Sequence, residues 1–349
     1  MVNYIIIILV YILFINLVSK KFKFLNHNLS NQDHKKINRS DLIHTGGIFF
    51  LPIIIGIIFY LDLDLNLNIF LLSIFLILIF IVGYLSDIKL NFNPILRLII
   101  QIILFFSIIY FSDFFVNRSG ITIIDTFLDN ILFKYFFTVF CILVYINGLN
   151  FIDGINLNAV GYLLQLFLSL VIINENYINQ IEILNFLQML LVAIAVFYFF
   201  NFNFNNILGD SGIYLLGSIA CFTTIYIVNN NYNISPILAI NLLWYPAFEN
   251  LYSIIRKKNI KKNALKPDIC HLHSLLYRYN KSILSNKSDT YVHNFSGITM
   301  NIFLIPNTLI SIYFFNSSKI LILNTLIYLI LYLIVYYWLD KKIKTKKNS

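Results

Sequence analysis

The chain has 349 residues, of which 59% are hydrophobic and 12% charged, with a formal net charge of +9. Soluble domains carry about 25% charged residues and cannot solvate so apolar a surface, so most of this chain must face lipid or other helices. Three cysteines, Cys141, Cys221 and Cys270, have no paired spacing, which excludes a disulfide framework and a CxxC metal site and leaves them as core or loop residues.

Apolar stretches long enough to cross a hydrocarbon core, about 17 to 25 residues each, lie near 4–19, 45–61, 69–85, 95–112, 131–147, 157–173, 184–200, 213–229, 236–255, 298–315 and 319–339. The first follows Met-Val-Asn, without a basic n-region or a small-residue cleavage site, and reads as a retained helix. If the residue after the first span lies inside and the spans alternate, the inner segments hold all of the 25 Lys and Arg residues except Arg118, Lys134 and Lys319. The positive-inside rule then predicts an all-α, polytopic transmembrane bundle of 10 to 11 helices, N-terminus out and C-terminus in. Residues 1–340 form one integral membrane domain in this reading and 341–349 a basic cytosolic tail. Basic loops beside an anionic leaflet account for the charge, so no nucleic-acid partner is invoked. The longest polar segment, 257–297, is too short and basic to be a separate domain.

Acidic residues at the ends of membrane helices are functional candidates, because an unpaired carboxylate there is costly. Asp87 ends the third span in GYLSD, Asp153 follows the fifth in NGLNFIDG, Asp210 follows the seventh in ILGDSG, and Glu249 lies near the end of the ninth in PAFEN. All four fall on the inner face, and Gly83, Gly154, Gly209 and Gly212 accompany three of them, where glycine lets backbone amides approach a phosphate. Convergent Asp residues suit Mg²⁺ held together with substrate phosphates. Zinc needs a closed His or Cys cluster, for which His271 and His273 alone are a weak signal. The competing reading is that an interfacial Asp is a helix cap or topological anchor, and that His271 and His273 are residues of a solvated basic loop. His27, His34, His44 and His293 are read as non-catalytic. A transporter would place ionisable or broken-helix sites at the midplane, often in two related halves; the span interiors here are almost free of charge. A site at the membrane surface suits a soluble polar substrate meeting a lipid carrier.

The motifs resemble those of the polyprenyl-phosphate N-acetylhexosamine-1-phosphate transferase family (glycosyltransferase family 4), in order from about residue 34 to 280. HTGGIFFLP at 44–52 is similar to the family's first cytosolic loop, and GYLSDIKLNFNPILRLIIQ at 83–101 to its acidic segment followed by a basic residue and Gln. NGLNFIDGIN at 147–156 resembles its Asn-x-x-Asn-x-x-Asp-Gly signature, ILGDSGIYLLG at 207–217 its Gly-Asp-x-Gly segment, and KPDICHLHSLL at 266–276 its Pro-Asp and His cluster. The resemblance implies Asp210 as the Mg²⁺ ligand, with Mn²⁺ as an alternative ion. It implies Asp87 and Asp153 as acids beside the pyrophosphate and lipid phosphate, and His271 and His273 in catalytic contact with the phosphate or sugar region. Asn147, Asn150 and Gly154 would line the nucleotide side, Arg97 would meet a phosphate, and Asn201 would join the substrate-binding set. The implied partners are a UDP-sugar, a polyprenyl phosphate and the membrane, with a homodimer allowed. The implied reaction forms polyprenyl-diphospho-sugar and UMP on the cytosolic face of a bacterial inner membrane, starting a lipid-linked envelope glycan such as O-antigen. The chain departs from the family pattern at Ser86, where an Asp usually precedes Asp87, at Asn156-Leu157, which replace a second Asp-Gly, at Ile213, at Ser274, and in the spacing of Asn201 from Asp210. These departures argue against the pentapeptide translocase branch and favour the undecaprenyl-phosphate GlcNAc-1-phosphate transferase type. A catalytically weakened scaffold and a transporter or flippase are the alternatives.

Overall fold

The computed structural model describes residues 2–22, 43–63, 65–88, 93–204, 206–259 and 270–348. His27, His34, most of the first basic segment and the Pro267-Asp268 pair lie outside the described residues. In chain order the helices are α1 (Val2–Phe22), α2 (Gly46–Leu61), α3 (Ile69–Asp87), α4 (Pro94–Ser112), α5 (Thr122–Leu128), α6 (Ile131–Ile152) and α7 (Asn158–Ile173), which ends in a π-helical turn at Asn174–Ile178. They continue as α8 (Ile181–Phe204), α9 (Gly209–Asn230), α10 (Ile237–Asn259), α11 (Leu272–Ile283), α12 (Asp289–Tyr313) and α13 (Ser318–Asn348). The fold is the expected all-α polytopic bundle. Each of the eleven apolar stretches is helical, and α5 and α11 are additional short helices between spans.

Among the described residues, eight helices are long and apolar enough to cross a membrane, namely α3, α4, α6, α7 with its π turn, α8, α9, α12 and α13. The apolar parts of α1 and α2, Tyr4–Ser19 and Gly46–Leu61, are shorter. The 23-residue α10 has the length but carries Asn241, Glu249 and Asn250 and ends on Arg256, Lys257 and Lys258. The segment expected as a tail continues α13 as helix through Asn348.

The bundle is organised around α9, which packs against α2, α3 and α6 and is buried along nearly its whole length. Its sequence explains how polar residues survive there. Ser218, Thr223 and Thr224 donate to the carbonyls of Tyr214, Ile219 and Ala220 within the same helix, so none of these hydroxyls needs a partner in lipid. Both ends of α9 are held from outside. At the N-terminus Asp87, the last residue of α3, accepts from the amides of Asp210 (2.7 Å) and Ser211 (3.0 Å) and from the Ser211 hydroxyl (2.6 Å). At the C-terminus Arg118 donates to the carbonyls of Val228 and Asn231, each at 2.5 Å, and its guanidinium lies 5.0 Å from the Tyr232 ring centre. An acid at the amino end and a base at the carboxyl end both complement the helix dipole.

A second group, α10, α12 and α13, is joined by a buried amide ladder. Asn241 donates to Thr325 and to the Leu321 carbonyl, accepts from Asn324 and Ser311, and offers its backbone carbonyl to Asn307. Interhelical hydrogen bonds of this kind bind helices where apolar contact alone gives little selectivity.

Two short strands matter for the site. β1 (Ile43–His44) pairs in parallel with β2 (Asn206–Ile207), Ile43 opposite Asn206 and His44 opposite Ile207. This ladder fixes His44 beside the start of α9.

Candidate active site

The ends of α3, α4, α6 and α9 converge on one carboxylate. Gly209 precedes it with φ of +67°, a conformation glycine adopts without the steric cost of a side chain, and turns the chain from β2 into α9. Gly83 on α3 lies so close to the Asp210–Ser211 backbone that a Cβ there would overlap it. The Asp210 carboxylate therefore sits at a fixed height against the end of α3. Its Oδ2 accepts from the Ser86 hydroxyl (2.6 Å) and from Arg97 Nη1 (2.5 Å), and its Oδ1 accepts from the Asn150 amide (2.5 Å). Arg97 is placed by the start of α4, where Asn93 caps the helix by accepting from the Ile95 amide and Pro94 opens the first turn. Nη1 of Arg97 also donates to the Ser86 hydroxyl at 2.7 Å, so Ser86 relays between the base and the acid.

Asp87 plays a different part from Asp210. Both its oxygens face the start of α9, and His44 Nδ1 is 3.1 Å from Oδ1. Its side chain is 3% exposed, against 18% for that of Asp210, so Asp210 is the more accessible of the two acids. The cap reading of an interfacial Asp describes Asp87 well. His44, read as non-catalytic, joins this cluster.

The last turns of α6 carry the next residues. Asn147, Asn150 and Asp153 fall at successive three-residue steps and share a face. Asn147 lies one turn deeper, its side-chain amide donating to the Leu143 backbone carbonyl and lying 3.5 Å from the Gln101 side-chain oxygen Oε1. Asp153 caps the carboxyl end of α6 and Gly154 follows.

On the other side of that helix end are the two histidines. The competing reading placed them in a solvated basic loop, and there the structure differs: both are buried, His271 5% and His273 1% exposed. His273 rests on Gly154, where a Cβ would strike its Nε2. The rings of His271 and His273 are nearly parallel with centres 5.7 Å apart, and the Phe151 ring is 5.0 Å from His271. His271 Nδ1 is 2.8 Å from Glu249 Oε1, and the Tyr332 hydroxyl donates to Glu249 Oε2 at 2.8 Å. Burial, reinforced by His271 and opposed by Glu249, pushes the His273 pKa down to about 3, so this ring is neutral at working pH. The burial has a simple origin: the described residues of the polar segment include the end of α10, the helix α11 and the start of α12, and α11 packs on α12 and α13. His293 is likewise buried, its ring centre 4.2 Å from that of Tyr277.

Asn201 stands apart from the Asp210 carboxylate. Its oxygen accepts from the Leu157 amide and its amide donates to the Asn206 carbonyl, so it fixes the joint between α7, α8 and β2. Leu157 there has φ of +67°, and the Asn156 side chain donates to Asn294 and to the Asn201 carbonyl. The residues that replace the family's second Asp-Gly are thus bound into the frame.

Sequence reasoning did not single out His44, Ser211 or Tyr332 as members of these clusters. His44 opens the HTGG segment and Ser211 lies within the Gly-Asp-x-Gly segment, whereas Tyr332 carries no local signal.

Among the described residues no three His, Cys, Asp or Glu side chains are grouped to cage a metal ion. Asp210, with the Ser86 hydroxyl oxygen beside it, is a hard oxygen donor built on one carboxylate, while Asn150 faces it through its amide nitrogen. That chemistry fits Mg²⁺, which takes one or two protein carboxylates and fills its remaining positions with phosphate oxygens and water.

A polytopic helical bundle with a paired acid and base, amides and buried histidines at one end has the features of a membrane protein that handles an anionic substrate at the bilayer surface. Residues 69–228 match the family model described as Glycosyl transferase family 4. The match spans just under half of the chain and supports, in general, a likeness to the glycosyl transferase family 4 superfamily. The matched stretch contains Asp87, Arg97, Asn147, Asn150, Asp153, Gly154, Asn201 and Asp210, whereas Glu249, His271 and His273 lie beyond it. No curated protein matches the chain.

Proposed function

We propose that the chain transfers a sugar 1-phosphate, of the N-acetylhexosamine class, from a UDP-sugar to a polyprenyl phosphate and releases UMP. An oxygen of the lipid phosphate attacks the β-phosphorus, and the bond from that phosphorus to the bridging oxygen breaks. UMP leaves with the electron pair, and polyprenyl-diphospho-sugar remains to start a lipid-linked envelope glycan. The observation that carries this reading is the Asp210 carboxylate, held between Arg97, Ser86 and Asn150 where four helix ends meet.

Phosphoryl transfer asks little covalent chemistry of a protein; it asks that two anions be held in line and their charge neutralised. Asp210 would hold Mg²⁺, which supplies positive charge to the pyrophosphate. Arg97 is the cationic part of the balance. It neutralises Asp210 in the resting site, and its remaining guanidinium donors are suited to a phosphate. Asn150 fixes the second Asp210 oxygen, and Asp87 keeps α9 from shifting. The amino end of α9 adds its dipole at the same place. The apolar faces of the bundle accommodate the prenyl tail. In this reading the polar end faces the cytosol of a bacterial inner membrane, in line with the distribution of Lys and Arg.

The test is Mg²⁺-dependent UMP release by the purified protein given undecaprenyl phosphate and a panel of UDP-N-acetylhexosamines. Release that Asp210→Asn lowers by at least about 100-fold, the loss expected for a main charge-stabilising group, supports the proposal. No release from any donor sinks it.

A further inference from the structure

Glu249 is fully buried near the end of α10, and each of its oxygens has a partner. Taking a carboxylate out of water costs several kcal/mol unless it is paired and hydrogen-bonded. One partner here is an aromatic hydroxyl and the other is a histidine of the site. A carboxylate only accepts, so the pairing requires His271 to carry a proton on Nδ1. Nε2, on the opposite edge of the ring, is then the position with a free lone pair in the neutral form. The Phe151 and His273 rings flank the imidazole and limit its rotation.

We propose that Glu249 is a positioning residue that locks Nδ1–H of His271 inward and presents Nε2 to the substrate phosphate, with Tyr332 holding the carboxylate in place. Its use in turnover rests on the transferase reading above. When Nε2 takes or shares the proton of an incoming phosphate monoester, the Glu249 charge stabilises the imidazolium formed, and the proton returns on product release. The titratable and charged groups around the pair are His273 on α11, Tyr245 and Arg256 on α10, Tyr332 and Tyr336 on α13, and Asp153 at the end of α6. Glu249 is the carboxylate in hydrogen-bond contact with the His271 ring.

Glu249→Gln keeps an acceptor for Nδ1–H and removes the charge. Two readouts are taken on the full-length protein in detergent: the pH profile of UMP release, and the pH dependence of diethylpyrocarbonate modification of His271 followed by peptide mass spectrometry. The expected result for Glu249→Gln is a fall in kcat of at least about tenfold, KM for the UDP-sugar within about twofold, and both pH curves moved to lower pH by about one unit. That shift is the size of perturbation a single close charge produces. Tyr332→Phe, which keeps the charge and removes a donor that disperses it, does not move the curves to lower pH. Equal loss of activity at every pH, with an unmoved modification curve, means that Glu249 only ties α10, α11 and α13 together and overturns the proposal. Loss of activity without any change in the modification curve overturns it equally. A wild type that releases no UMP while Glu249→Gln still shifts the modification curve removes the transferase reading and leaves the Glu249–His271 pairing standing.

Discussion

Replacing Asp87 by Asn tests whether this acid works by holding α9 or by touching substrate. The side chain accepts from two backbone amides and a hydroxyl at the start of α9. Asn retains one acceptor, which suffices for the Asp210 amide, but turns an NH₂ group toward the Ser211 amide and hydroxyl. One buried backbone donor loses its partner, at about 1 to 3 kcal/mol, and the lost negative charge at a helix amino end removes about 0.3 to 1 kcal/mol more. A total of roughly 1 to 4 kcal/mol corresponds to a fall in Tm of several degrees, at about 2 to 4 °C per kcal/mol for domains of 150 to 250 residues. The assay is thermal unfolding in detergent followed by a thiol-reactive dye, for which buried Cys221 is a natural reporter. Because Asp210 shifts with the end of α9, the Mg²⁺ concentration for half-maximal activity should rise in the same variant. An Asp87→Asn protein with wild-type Tm and abolished turnover would falsify the capping argument and make Asp87 a group that acts on substrate directly.

The carboxyl end of α9 gives a matched control: Arg118→Met removes donors to two carbonyls at 2.5 Å, and should lower Tm by a few degrees while leaving the Mg²⁺ dependence of activity unchanged. His273 predicts an acid limb in stability. Its folded pKa of about 3 lies below the unfolded value of about 6.5, so the unfolded chain alone binds the proton between them, and stability falls by about 1.4 kcal/mol per pH unit as pH drops through that window; denaturation midpoints of His273→Gln should be flatter there. Ser86→Asp puts a second carboxylate beside Asp210 under one guanidinium. It should lower the Mg²⁺ concentration for half-maximal activity and lower Tm in EDTA, measured on the same preparation, and an unchanged Mg²⁺ requirement would contradict the charge argument.

The helices were legible because an apolar run of some 20 residues is a local property, and each of the eleven runs folds as one helix. The acids were legible as a set for a related reason, since a carboxylate at the end of an apolar run stands out against its neighbours. Their division of labour was not. Asp87 and Asp210 have similar local contexts, each with a glycine within four residues, yet one caps a helix and the other is the more accessible acid. That difference arises from pairings across 123 and 124 positions in sequence. The histidines show the opposite error. Lys and Asn around 257–297 describe a solvated loop, but the burial of His271 and His273 depends on Gly154 and Phe151 of α6 and on Glu249 of α10, which no window around residue 272 contains. Ser86, which stands out in the sequence as a departure from the family pattern, is the hydroxyl that joins Arg97 to Asp210.

The charge balance around Asp210 constrains how the site must work. One carboxylate and one guanidinium are in contact at 2.5 Å, both largely shielded from water, and a neutral hydroxyl stands where a second acid would otherwise add charge. At rest the pair is close to neutral, so it exerts little long-range pull on either anionic substrate. A divalent cation held by Asp210 would compete with Arg97, which donates to Oδ2, and a guanidinium relieved of that contact would have donors for a phosphate, so the two binding events would be coupled. Binding of either partner alone breaks the resting pair without replacing it, whereas binding of both leaves each charge with a counterpart. Mg²⁺ and the nucleotide-sugar are therefore expected to bind with positive cooperativity, and the coupling should weaken in Arg97→Gln, where the resting carboxylate has no guanidinium to release.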